Sequence, residues 1–145
     1  MLIAVFDVDK TLLKGDSLFI AARRSSSFFS LLMGSLVCFP WFIYWKLQLI
    51  TTERFKERFI NIFNICEVVN GAENAGKTNW LLPYLKSQIR EEALFRIRDH
   101  QYKGERVVLC SASFNMLLQP LADDLGVELI STNLQNIDGK WYPRI

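Results

Sequence analysis

The 145-residue chain is half hydrophobic and 22% charged, a balance that suits one compact globular domain and excludes an intrinsically disordered protein. Its 17 lysines and arginines stand against 15 acidic residues, and a formal charge of +2 is too small for the broad basic face that tracks a nucleic-acid backbone. Cys38, Cys66 and Cys110 are odd in number, widely spaced and set in apolar surroundings, so they read as core thiols of a reducing compartment. The N-terminus carries Asp7 and Asp9 and no basic segment, which reads as cytoplasmic rather than secretory.

The apolar, β-branched and aromatic run at residues 2–6 predicts a buried strand that stops at Asp7. Residues 16–86 then show long apolar and aromatic stretches without strand alternation, which predicts a helical insertion. Within it, residues 25–45 carry no charge and lie between Arg23/Arg24 and Lys46. As a helix this stretch would be about 30 Å long, enough to cross a bilayer. Its serines, Gly34, Pro40 and the crowd of Phe39, Trp41, Phe42, Tyr44 and Trp45 suit equally a segment lying at the membrane interface. A buried helical hairpin broken at Pro40 is the soluble alternative; membrane contact of some form is favoured. Residues 52–65 place Phe55, Phe59, Ile62 and Phe63 on one stripe, predicting an amphipathic helix.

Residues 87–102 predict a further helix ending near Gly104, with His100, the sole histidine, at its exposed end and without a catalytic role. A second strand at 106–110, a helix at 114–125 capped by Gly126, and a third strand at 127–131 follow. Residues 137–141 read as a hairpin turn. Strands alternating with helices predict an α/β fold with a Rossmann-like parallel sheet, its core at 1–15 and 87–145 and a helical cap at 16–86 inserted after the first strand.

The chemistry gathers at two strand ends. Asp7-Val8-Asp9-Lys10-Thr11 follows the first strand directly, and open α/β sheets place their ligands at the carboxyl ends of strands. Alternate residues of an extended turn can aim two carboxylates at one site, where they suit a hard divalent cation or a nucleophile with a neighbouring proton shuttle. Asp and Thr are also ordinary residues of a capped, solvated turn. Ser111-Ala112-Ser113 closes the second strand just before a helix. Its hydroxyls and the backbone N–H groups around Ala112 form a phosphate site, or else a simple helix N-cap.

FDVDKTL at 6–12 paired with VVLCSAS at 107–113 resembles the haloacid dehalogenase-like phosphatases. The likeness is nearest to the subfamily (IB) with a helical cap after the first motif, which includes phosphoserine phosphatases and phosphatidylglycerophosphatases. The resemblance implies a Mg2+-dependent phosphomonoesterase working through an aspartyl-phosphate. Asp7 would be nucleophile and metal ligand; Asp9 would be general acid/base and give its backbone carbonyl to the metal. Thr11, Ser111 and Ala112 would hold phosphate oxygens, and Asp16 falls where phosphoserine phosphatases carry an acidic residue that contacts substrate. The implied substrate is a phosphorylated small molecule or a lipid head group, handled in the cytoplasm or at the cytoplasmic face of the inner membrane.

The family's charge-neutralising lysine and GDxxxD-like acidic pair find no match. Lys140 lies in the hairpin, too close to Ser111 to be that lysine. The sequence therefore resembles the front part of a phosphatase, and little activity is expected of the isolated chain. Two other readings stay open. Gly71 to Thr78 fits the P-loop string GxxxxGK[ST], with Lys77 on the phosphates, but residues 65–69 are too short and too interrupted by Glu67 to be the buried strand a P-loop follows. A non-catalytic, membrane-associated protein or pseudoenzyme is the other.

Overall fold

The computed structural model describes residues 2–25, 28–66 and 80–144. Three strands, β1 (Ile3–Asp7), β2 (Arg106–Phe114) and β3 (Glu128–Ile137), run parallel in that order, and β4 (Lys140–Arg144) returns antiparallel against β3. The expected α/β parallel core is present. β3 is longer than residues 127–131 because its second half is held by β4 through a tight turn at Asp138 and Gly139, both at positive φ.

Helix α5 (Glu91–Tyr102) leads into β2, and α6 (Asn115–Leu125) joins β2 to β3 and stops at Gly126, whose left-handed φ of 67° closes it. Both crossovers step in the same direction across the sheet, so right-handed connections put α5 and α6 on one face. That face is dry, with Leu109, Ile97, Leu118 and Leu121 fully buried. The opposite face is open at Ile3 (50% exposed), Val5 (64%) and Ile130 (63%), while Val108 between them is buried. Cys110 pairs with Asp7 on one side and Ile130 on the other and is exposed with them, so only Cys38 and Cys66 are the core thiols expected. His100 also departs from expectation: its ring packs edge-on against Phe6, and Nδ1 meets the Glu105 carboxylate, so it is half-buried.

The chain leaves the sheet and comes back to it side by side. Leu13 pairs antiparallel with Ile89, Lys14 N–H donates to the Gln88 carbonyl, and Arg90 N–H donates to that of Leu12, each backbone bond 2.9 Å. This extended contact delays the helix expected over 87–102, so that α5 starts only at Glu91, and sets it apart from a preceding short helix, α4 (Leu81–Ser87). Between departure and return lie α1 (Ser17–Ser25), α2 (Phe28–Lys46) and α3 (Thr52–Ile62). α1 and α4 pack on α6, whereas α2 and α3 pack on each other and α3 also touches β4.

α3 is the amphipathic helix expected, capped by the Thr51 hydroxyl, with Phe55 and Phe59 buried. α2 runs unbroken through Pro40. One stripe of it, Leu31, Gly34, Cys38, Trp41 and Trp45, is drawn toward α3, and Trp45 stacks on Phe55 with centroids 5.0 Å apart. Gly34 is required there: a Cβ would lie 2.5 Å from Cε1 of the buried Phe63. The rest of α2 faces outward, and only 11% of Phe29–Lys46 is buried, so the buried, Pro-broken hairpin does not hold.

Candidate active site

β1 delivers Asp7 to the carboxyl edge of the sheet, where its carboxylate is exposed. The next residues form a wide turn, Val8–Leu12, closed by Leu13 N–H on the Val8 carbonyl at 2.9 Å. Apolar Val8 and Leu12 anchor it by full burial, while Asp9, Lys10 and Thr11 ride above them. Lys10 takes the left-handed φ of 64°, and the chain doubles back so that the Thr11 hydroxyl donates to Asp7 Oδ2 at 2.6 Å.

Asp9 faces the other way, into a closed ring of hydrogen bonds. Its Oδ1 accepts the Ser17 backbone N–H at 2.6 Å, and its Oδ2 accepts the Ser111 hydroxyl at 2.9 Å. Ser111 Oγ in turn accepts the N–H of Ser113, and Ser113 Oγ accepts the hydroxyl of Ser17 at 2.7 Å. The ring ties the turn after β1, the start of α1 and the end of β2 into one unit. Ser17, Ser111 and Ser113 are the buried polar residues of the described structure, and each hydroxyl has a partner, as burial demands.

The expected pair of strand-end motifs therefore does come together. Its form differs in one respect. The strand expected to end at 110 runs on through Ser111, Ala112 and Ser113. β2 continues through them to Phe114 with a register slip between Cys110 and Phe114, and α6 starts at Asn115 with no side-chain cap. Within this irregular stretch the Ser111 hydroxyl meets Asp9. Phe114 holds the N-cap position of α6 and no side chain bonds to its first turn, so the N-cap reading of either serine fails. Asp16 is half-buried and accepts the N–H of Leu18 at 3.0 Å, as the cap of α1.

Two residues escaped the sequence reading. Ser17 had a local signal, since Asp-Ser before an apolar run is a helix start. Lys56 had none: from α3 its ammonium crosses to the Ala112 carbonyl at 2.8 Å, placing a cation at the end of β2 beside Ser111. The P-loop-like residues 71–78 lie outside the described residues. Among those described, no three His, Cys, Asp or Glu side chains converge. The acidic set of the site is Asp7 and Asp9, hard oxygen donors of the kind Mg2+ takes in ones and twos alongside water and phosphate oxygens.

The sequence matches the family model of the haloacid dehalogenase-like hydrolases over residues 4–145. The chain belongs to that family. No curated protein matches its sequence. Among solved structures, it resembles a Bordetella pertussis Tohama I protein described as of unknown function (TM-score 0.66, 20% identity, 99% of this chain). It also resembles a phosphoserine phosphohydrolase-like protein from Francisella tularensis subsp. tularensis SCHU S4 (0.59, 18%, 97%). A third is a phosphoserine phosphatase described as a phospho-aspartyl intermediate analogue (0.54, 14%, 96%). The chain spans 66, 63 and 59% of those three chains, and identities this low speak for the shared fold.

Proposed function

We propose that the full-length gene product is a Mg2+-dependent phosphomonoesterase that works through a phosphoryl group on Asp7, with residues 16–86 serving as its cap. The observation that carries this reading is the division of labour between the two aspartates: Asp7 is open to solvent with one hydroxyl neighbour, while Asp9 is held by two donors beside it. Asp7 attacks phosphorus, and the bond from phosphorus to the ester oxygen breaks. Asp9 in its protonated form gives its proton to the departing alkoxide. The ionised Asp9 then takes a proton from water, which attacks the acyl phosphate, releases inorganic phosphate and restores Asp7.

Each Asp9 oxygen accepts one bond and keeps a second lone pair, so the carboxyl can carry that proton without leaving the ring. Thr11 and Ser111, whose single hydroxyl protons here go to Asp7 and Asp9, would turn them to the phosphoryl oxygens when substrate binds, beside the backbone N–H of Ala112. The Asp7 carboxylate and the Asp9 backbone carbonyl would hold the metal, which supplies neutralising charge to the phosphoryl group. The substrate class, a phosphorylated small molecule or a lipid head group, follows from the phosphoserine phosphatase likeness and from an apolar segment, residues 25–45, suited to membrane contact at the cytoplasmic face.

The test is hydrolysis of p-nitrophenyl phosphate by the full-length protein with and without Mg2+. Asp7→Asn should abolish turnover with an unchanged circular dichroism spectrum, while Lys77→Ala should leave it nearly intact. The reverse pattern would overturn the reading in favour of the P-loop.

A further inference from the structure

α2 carries two apolar faces, and α3 covers one of them. Stepping about 100° per residue, Leu31, Gly34, Cys38, Trp41 and Trp45 fall within an arc of about 80° turned toward α3. On the opposite side, Phe29, Leu32, Leu36, Val37, Phe39 and Ile43 are all exposed and occupy an arc of about 160° that holds no charged residue, the half-exposed Tyr44 carrying its one hydroxyl. Ser30 and Ser35 stand at its two margins. The exposed Leu47 and Leu49 extend the patch past the end of the helix. A contiguous apolar surface of this size is too large to be incidental on a soluble protein.

The margins are basic. Along one side a cleft of about 380 Å³ is lined by Trp41, Ile50, Arg54, Glu57 and Arg58, and the Arg58 guanidinium lies 4.7 Å from the Trp41 centroid. Along the other, Lys46 reaches back over Trp45 at 5.4 Å and Phe42 at 6.0 Å. Residues 17–52 contain no acidic residue, and they include Arg23, Arg24 and Lys46. An apolar strip with cations on both long sides is complementary to an anionic lipid surface, with hydrocarbon below and phosphates beside it.

The helix is also long enough, at about 28 Å, to cross a bilayer. Its packing argues against crossing. α3 lies on α2 from Gly34 at Phe63 to Trp45 at Phe55, and α3 carries Glu53, Arg54, Lys56, Glu57 and Arg58. A transmembrane α2 would drag those charges into hydrocarbon or strip the aromatic seam.

We propose that the outer face of α2 docks on an anionic bilayer with the helix lying in the plane of the interface, buried on its apolar side and covered by α3 on the other. Docking rests on the outer face alone and does not depend on the phosphatase reading; Asp7→Asn should bind membranes as the parent does. The test is flotation of the chain with phosphatidylcholine vesicles, with and without phosphatidylglycerol. The chain should float with the anionic vesicles. The triple variant Leu36→Ser/Phe39→Ser/Ile43→Ser, whose sites point away from α3, should keep its circular dichroism spectrum and lose at least about tenfold in bound fraction. Fluorophores on Cys introduced in turn at Phe29, Leu36 and Ile43, in a Cys110→Ser background, should be quenched by brominated lipids at one shallow depth. A depth that changes steadily along the helix would overturn the in-plane placement. Absence of flotation, or a dimer that the same triple variant dissociates, would overturn the bilayer as occupant.

Discussion

The Ser111 hydroxyl and the Asp9 carboxylate, 102 residues apart in the chain, share a hydrogen bond of 2.9 Å that fastens the end of β2 to the turn after β1. Asp7, two residues earlier, has only the Thr11 hydroxyl from its own turn. The two aspartates of one short motif thus sit in different environments, Asp7 open to solvent and Asp9 tied into the fold.

Stability should separate them. Asp9→Ala leaves the Ser17 N–H and the Ser111 hydroxyl without their charged acceptor and should lower unfolding free energy by about 2–4 kcal/mol. Asp7→Asn should stay within about 0.5 kcal/mol of the parent. Urea unfolding followed by tryptophan fluorescence measures both, and equal losses would contradict this division.

The buried Ser17–Ser113 pair should behave as a coupled unit. Ser17→Ala or Ser113→Ala alone strands a buried hydroxyl and should cost about 1–2 kcal/mol each. The double variant should cost less than the two singles together by about 1 kcal/mol. Strict additivity in this cycle would mean that the bond contributes nothing.

Gly34→Ala sets two effects against each other. Replacing a mid-helix glycine gains up to about 1 kcal/mol in helix propensity. The new methyl must displace the Phe63 ring, buried in the α2–α3 seam, and overpacking of this kind costs about 1–3 kcal/mol. The net should be a loss, seen as a lower urea midpoint. Pairing it with Phe63→Leu should recover part of the loss; an unassisted gain from Gly34→Ala would show that the helices do not approach so closely.

The cysteines offer a chemical check on the open sheet face. Burial pushes the Cys38 thiol above its ordinary pKa, so near neutral pH it holds less of the reactive thiolate and gains reactivity only as pH rises. Iodoacetamide at pH 8 should modify the exposed Cys110 well before Cys38 in the native protein and both alike in urea. Mass-mapped labelling at equal native rates would mean that the face carrying Cys110 is covered.

Much of this was readable because it is local. β1, α6 with its Gly126 stop, and the Asp138-Gly139 hairpin each announce themselves through periodicity or turn chemistry. Asp7, Asp9 and Ser111 were found because strand ends mark ligand sites. What stayed hidden depends on distant partners. The split between α4 and α5 arises from backbone pairing with residues 12–14, and the bulge at Ser111–Ser113 from bonds to Asp9 and Ser17. Lys56 reaches its carbonyl only because α3 packs against β4. Cys110 sits in an apolar string, and nothing in that string tells which sheet face will be left open.

β1 ends the sheet order, with β2 as its neighbour on one side and no strand of the described residues on the other. Alternate residues of the five-residue strand that carries Asp7 therefore turn their backbone donors and acceptors to that open side. The Asp7 carboxylate rides on a plank nailed down along one side. Any strand laid against that side, whether from the same polypeptide or supplied as a separate peptide, would both quench a template for misassembly and hold the aspartate still. Solubility and the sharpness of the catalytic geometry would then rise or fall together.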